Sequence, residues 1–241
     1  MANQTYRILN TYQPSGPKVT QYRRLEYIHL NGAEYIQTNL KFQKNTFHYM
    51  NCSWDDVAHN YCPLGCAGDS TSSGNMRISW SSSTAGKFQC RYGRNSSSDT
   101  AVVNISANTE YLVKMRLYSD NRAWFAIFST PTETQLGSQY YGTAVSWTPA
   151  NMNTVKLGCY SYGATSQSAL LKGNIYRHYM KTGDDSGAIT YDRYPCQRKS
   201  DGVCGMYDVI TNTFYPMTGT TITYGAAGPV ADEYWDLTAP S

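Results

Sequence analysis

Apolar and polar positions along the chain fall into short runs closed by turn-forming residues, most plainly in the late stretch 173–224, GNIYRHYMKTGDDSGAITYDRYPCQRKSDGVCGMYDVITNTFYPMTGTTITY. Asp201-Gly202 forms a tight turn between RK and VCGMYD, Thr211-Asn212 a second before TFY, and Thr218-Gly219 a third before TTITY. These spacings predict consecutive strands and leave no room for a helix. Upstream, RLEYIHL, then Asn31-Gly32, then AEYIQTNL predict two short strands joined at an Asn-Gly turn. Apolar runs at 45–54 and 61–68 predict inner strands. MRISW (76–80), KFQCRYG (87–93) and TAVVNIS (100–106), separated by SSSTAG and RNSSSDT, have the spacing of an antiparallel meander, with the loops 69–75 and 94–100 on one rim and 81–86 on the other.

EYLVKMRLYSD (110–120) alternates, with Tyr111, Val113, Met115 and Leu117 on one face and Leu112, Lys114 and Arg116 on the other, which predicts one buried face and one wet face. RAWFAIFS (122–129) is apolar on both faces and reads as a central strand between layers, paired with its predecessor across Asp120-Asn121, with Trp124 in the core. NTVKLGCYS (153–161) and ALLKGNIYRHYM (169–180) complete the set, His178 being placed on the wet face. About a dozen short strands with Gly and Asn turns imply an all-β sandwich of two packed antiparallel sheets.

The pattern stops at both ends. Residues 1–20, with Pro14-Ser15-Gly16-Pro17, and residues 226–241 read as arms flanking one domain over 21–225. Yet the arms carry Tyr6, Ile8, Tyr12, Tyr234, Trp235 and Leu237, apolar side chains that are costly in water unless a neighbouring subunit or the chain's own sheet edge covers them. They are therefore candidate assembly residues.

Composition adds 22 Tyr against 15% charged residues, which favours strands over amphipathic helices. A net charge of +3 from scattered Lys and Arg gives no footprint for nucleic acid. No run is long and apolar enough for membrane insertion. The start MANQTYRILN lacks a secretory pattern, so the expected compartment is a reducing cytoplasm in which the seven cysteines stay thiols.

PCQRKSDGVCGMYDVITNTFY followed by a Gly-Thr turn resembles the closing hairpins of concanavalin A-like (lectin/glucanase, LamG-like) jelly-roll domains found in tailed-phage structural proteins and gut-bacterial surface proteins. The opening LEYI, Gly turn and YI-x-T strand resemble that family's first strands. The resemblance implies a concanavalin A-like jelly roll.

Its chemistry is then tested by residue type. Cys52, His59, Cys62 and Cys66 are zinc-type donors at the wrong spacing, and Cys62, Leu64 and Cys66 share a strand face as buried hydrophobes do, so no metal is expected. Cys196 and Cys204 flank the Asp201 turn but read as core packing. A jelly-roll glucanase needs two carboxylates on one strand face. No Glu here is followed two residues later by Asp or Glu, and Asp184 with Asp185, like Asp232 with Glu233, would point to opposite faces of a strand. No G-x-S-x-G elbow is present, and DSTSSGN offers calcium only Asp69 among carboxylates. Sugar-binding proteins stack pyranose rings on exposed aromatic residues beside polar loops, which makes Trp54, before Asp55-Asp56, and Trp80, before SSSTAG, the candidate glycan-binding platforms.

The expectation is a non-enzymatic virion structural protein of a tailed phage, a capsid-decorating, head-fibre or tail-associated subunit made in the host cytoplasm, without cofactor. Its partners would be other virion proteins or copies of itself, with weak binding to host-surface or mucus glycans. The alternative is a bacterial cell-surface carbohydrate-binding lectin; a glycoside hydrolase ranks below both.

Overall fold

The computed structural model describes residues 21–57, 61–67, 75–80, 88–93, 98–99, 103–142, 144, 147–162 and 166–219. Eighteen strands stand among them: β1 Tyr22–Arg24, β2 Ile28–Asn31, β3 Tyr35–Gln37, β4 Thr46–Trp54, β5 Leu64–Ala67, β6 Asn75–Trp80, β7 Phe88–Gly93, β8 Ser98–Asp99, β9 Tyr111–Leu117, β10 Ala123–Ser129, β11 Gln135–Tyr141, β12 Lys156–Leu157, β13 Tyr160–Tyr162, β14 Ser166–Ser168, β15 Lys172–Thr182, β16 Ile189–Arg198, β17 Cys204–Asp208 and β18 Thr213–Thr218. Helix is confined to one 3₁₀ turn, Pro149–Asn151, among the described residues.

All pairings are antiparallel. The front sheet runs β11-β10-β9-β4-β15-β16-β17, with β1 on β16 and β2 on β15, and the back sheet runs β18-β3-β12-β5-β6-β7-β8. β18 belongs to both: Thr213 to Pro216 pair with β17, while Met217 and Thr218 pair with Ile36 and Tyr35 of β3. The fold is an all-β jelly-roll sandwich of the concanavalin A-like kind. Between the sheets lie Met50, Cys52, Trp54, Val113, Met115, Phe125, Ile127 and Ile175 from the front, and Ile36, Leu64, Cys66, Phe88 and Leu157 from the back. These alternate residues of each strand leave water together, at about 25 cal/mol per Å² of apolar surface.

The turn chemistry holds where the sequence shows it. Gly202 takes φ +73° between β16 and β17, with the Asp201 carboxylate accepting from the Val203 amide. Asn212 takes φ +53° before β18, and Asn121 φ +68° between β9 and β10. The stretch TTITY lies outside the described residues, as does the loop 81–86; of the other two loops assigned to rims, Asn75 begins β6 and Ser98–Asp99 form β8, and the rest lies outside the described residues. The meander β5-β6-β7-β8 forms, but β8 is only Ser98–Asp99, and Val103 and Ile105 reach the core from outside any strand.

Four expectations are corrected. β2 and β3 do not pair across Asn31-Gly32: β2 joins β15 and β3 joins β18 and β12, so this turn carries the chain from one sheet to the other. The second face of β9 is not wet, because Leu112 packs with Phe47 and Tyr49 under Trp124, Phe128 and Tyr179 in a small outer cluster, leaving Lys114 at 9% exposure. β10 is not sandwiched between layers; it lies second from the β11 edge, and its Trp124 face points out of the sandwich. His178 is buried, its residue paired with Arg193 on the core side of β15. The six described cysteines, Cys52, Cys62, Cys66, Cys159, Cys196 and Cys204, are buried and unbridged.

Candidate functional site

The outward face of the front sheet is set by strand register. Phe47, Tyr49, Asn51 and Ser53 alternate along β4 away from the core, and pairing extends this face to Arg116, Lys114 and Leu112 of β9, to Trp124 and Tyr141 of β10 and β11, and to Lys181, Tyr179 and Arg177 of β15. Three zones differ in what they leave open.

The middle is closed on itself. Tyr49 and Tyr179 stack 4.2 Å apart at 7°, Arg177 caps the Tyr179 ring at 4.4 Å, and Lys114 and Lys181 each stand 5.4 Å from the Tyr49 centroid. Arg177 also gives Asp192 two hydrogen bonds of 2.8 Å. The Tyr49 hydroxyl donates to Asp185, and burial followed by that bond pushes its pKa far up. With both sides of these rings occupied, no ring face is left for a ligand.

Toward β2 lies a polar ledge. His29 Nδ1 is 2.9 Å from Asn174 Oδ1 and His29 Nε2 is 3.7 Å from Asp55 Oδ2. The Asn174 amide donates to the Tyr176 hydroxyl at 3.3 Å, which is 3.4 Å from Ser53 Oγ. These groups largely satisfy one another.

The third zone, at the β9–β10 turn and the end of β11, is open. Trp124 and Tyr141 are cross-strand partners on the outward face, and Tyr141 is 48% exposed. The Trp124 indole meets Phe47 edge-on at 5.5 Å and donates from Nε1 to Gln139 Oε1 at 3.0 Å. Tyr118 lies 5.4 Å from Tyr141, and the Arg122 guanidinium sits 4.9 Å from the Tyr141 centroid and 5.8 Å from that of Tyr118. Arg116 covers Tyr118 from 4.6 Å. Asp120 receives Arg122 Nε at 2.7 Å, and that hydrogen bond holds its carboxyl below the usual carboxylate range. Three aromatic residues, two guanidiniums, an amide and a carboxylate thus border one solvent-facing corner. That is the residue set with which proteins bind sugars, apolar faces against the rings and hydroxyls against the polar groups.

The expected platforms fare differently. Trp54, at the end of β4, is 0% exposed, its ring 6.2 Å from Tyr111 inside the core, so it cannot receive a ligand there. The alternation that sends Ser53 outward sends Trp54 inward. Trp80 ends β6, paired with Phe88, and its side chain lies outside what is described. The arm residues Tyr6, Ile8, Tyr12, Tyr234, Trp235 and Leu237 lie outside the described residues, as does His59. Asp184 and Asp185 sit in the turn after β15 rather than in a strand, Asp184 accepting from Ser186 and Asp185 facing Tyr49 and Lys181. Among the described residues no group of three His, Cys, Asp or Glu could hold a metal, and no helix is long and apolar enough to cross a membrane.

Trp124 was legible in one respect that its flanking residues obscure. Pairing β10 back on β9 sets Trp124 opposite Arg116 and Ala126 opposite Lys114, which assigns it to the charged face. Tyr141 and Gln139 belong to β11, whose sequence QLGSQYY lacks a clear alternation.

No protein-family model matches the sequence, and no curated protein matches it. Solved structures do. A provisionally assigned carbohydrate-binding protein from Bacteroides ovatus ATCC 8483 is similar at TM-score 0.56 and 13% identity, over 85% of this chain and 61% of that one. The CBM40 of the Ruminococcus gnavus IT-sialidase, bound to alpha2,3 sialyllactose, is similar at TM-score 0.51 and 10% identity, over 69% of this chain and 94% of that one. The enzymatically active domain of tailspike protein 2 of bacteriophage CBA120 stands further off, at TM-score 0.43 and 9% identity over 76% of this chain and 31% of that one. At these identities the likeness is one of fold.

Proposed function

We propose that the protein is a non-enzymatic, lectin-like carbohydrate-binding module whose glycan stacks on Trp124 and Tyr141. The observation that carries this reading is the pairing of these two residues on the outward face, with Tyr141 48% exposed. Gln139, Arg122, Arg116 and Asp120 supply donors and acceptors for sugar hydroxyls around them. Two of the similar solved structures, one provisionally assigned as carbohydrate binding at TM-score 0.56 and one bound to sialyllactose at 0.51, support a carbohydrate ligand on this fold. The non-enzymatic reading is supported by the sequence, in which no Glu is followed two residues later by Asp or Glu as a jelly-roll glucanase would need.

One aromatic stack is worth about 1–3 kcal/mol in nucleobase recognition. Two such stacks, less the ordering cost, reach about −4 kcal/mol, a millimolar Kd. Many copies on one particle raise avidity well above that. This suits the proposed setting, a subunit of a tailed-phage virion, which the closing-hairpin resemblance supports; a bacterial surface lectin is the rival setting. Recovery of the chain in purified particles decides between the two.

The binding test is a glycan array followed by NMR titration of the best ligand. Trp124→Ala combined with Tyr141→Ala should abolish the shifts while the fold persists; undiminished binding in that variant sinks the assigned site. Release of shortened sugars on prolonged incubation would overturn the non-enzymatic reading.

A further inference from the structure

Four polar residues cross the interior of the front sheet on adjacent strands: His48 on β4, His178 on β15, Arg193 on β16 and Asp208 on β17, each 0% exposed. The imidazoles lie parallel with centroids 5.9 Å apart, Arg193 Nη1 donates to His178 Nδ1 at 3.0 Å, and Arg193 Nε stands 3.2 Å from Asp208 Oδ2.

The hydrogen bonds fix the protonation states. Because His178 Nδ1 accepts from a guanidinium, its ring is neutral with the proton on Nε2. The Thr46 hydroxyl gives its only proton to the Gln43 carbonyl at 2.7 Å, so at its 3.2 Å contact with His48 Nε2 it must accept. His48 thus carries a proton on Nε2, and because its Nδ1 is buried with no partner among the described residues and burial beside the Arg193 charge disfavours a second proton, the ring is neutral. The groups facing the two rings are Thr46, Phe42 at 4.9 Å from His48, each other, and Arg193; around Arg193 stand Asp208, Tyr191 and Tyr215. The one carboxylate of the row is bound to Arg193 and to the backbone amides of Asp192, Ile210 and Thr211.

We propose that this row is an acid-sensitive latch: proton uptake by His48 and His178 removes the acceptor that Arg193 uses and sets like charges together in the interior, which unfastens β4, β15, β16 and β17 from one another. Burial, then the Arg193 charge, holds the His48 pKa down at about 3, and burial, Arg193 and His48 hold His178 well below its usual value. The unfolded chain binds these protons near pH 6.5 and the folded chain does not. Stability is thus full above about pH 6.5 and is lost as pH falls from there toward the depressed folded values. Each histidine lowers the folding equilibrium constant about tenfold per pH unit in that window.

Urea unfolding of the full chain at pH 7, 6 and 5 tests this. His178→Asn keeps an acceptor near the Nδ1 position and His48→Gln keeps a donor near Nε2, and neither side chain titrates. The wild type should lose about tenfold more per pH unit than either single variant, and about a hundredfold more than the double variant, below pH 6. A double variant with the wild-type slope overturns the latch. Should the variants fail to fold, imidazole NMR on the wild type decides: two rings that remain neutral in the folded protein down to pH 5 support the proposal, and four rings titrating near 6.5 in the folded protein refute it.

Discussion

Arg193 carries its charge at 0% exposure, and everything that tolerates it is local: the Asp208 carboxylate on one side, the His178 lone pair on another, and the rings of Tyr191 and Tyr215 at 4.6 and 5.1 Å. A buried pair of this kind adds little net stability, but removing one member leaves the other charge stranded. Arg193→Met should cost about 3–5 kcal/mol by that argument, read as a fall in the urea midpoint, and Arg193→Met with Asp208→Asn should recover part of it. None of this was legible beforehand. His178 in IYRHYM looks like any polar strand residue, because alternation reports a face only when that face is uniformly polar or apolar, and here the core face itself holds His, Arg and Asp. Tryptophan misleads in the complementary way: Trp54 beside two aspartates is core, whereas Trp124 between alanine and phenylalanine faces out. Either Trp124→Ala or Tyr141→Ala alone should weaken glycan binding by about 1–3 kcal/mol, roughly five- to 150-fold in Kd by titration.

Hairpins with positive-φ turn residues were the most legible elements, since Asn121, Gly202 and Asn212 mark their turns directly. The β16–β17–β18 meander follows from them. β11 was not legible: Gln, Gly and Ser on an exposed edge need no apolar stripe, so the strand carrying half of the candidate site leaves no periodic trace. The Asn31-Gly32 step resembles a hairpin turn in composition, and only the demand of β15 for β2 and of β18 for β3 separates the two strands. Close backbone approach makes its own demand in the closing meander. A Cβ on Gly205 would lie 2.2 Å from the Tyr215 carbonyl oxygen and 2.8 Å from the Phe214 ring, so the side chain of any other residue would push β18 away from β17. Gly205→Ala should destabilise by about 1–3 kcal/mol, measured by chemical denaturation, while leaving binding at the distant β11 corner unchanged in the folded fraction.

For the whole molecule, the cysteines report integrity of the sandwich. Burial pushes the Cys204 thiol up to about 11 and Cys159 up to about 12, and raises Cys52 and Cys66 well above the usual thiol value. The six described thiols should therefore be nearly inert to a disulfide reagent at pH 8, and unfolding should release all seven of the chain. A rapid reaction of several native thiols would show that the sheets open readily. β18 marks the line about which such opening would turn. Because Gly205 to Asp208 hold its first four residues and Ile36 and Tyr35 its last two, the two sheets are leaves bound along one spine. Any parting of the leaves pivots there and is widest at the far margins, where β11 ends one leaf and β8 the other. The proposed glycan corner thus stands on the margin farthest from that spine, where a parting of the leaves would leave every β18 pairing intact.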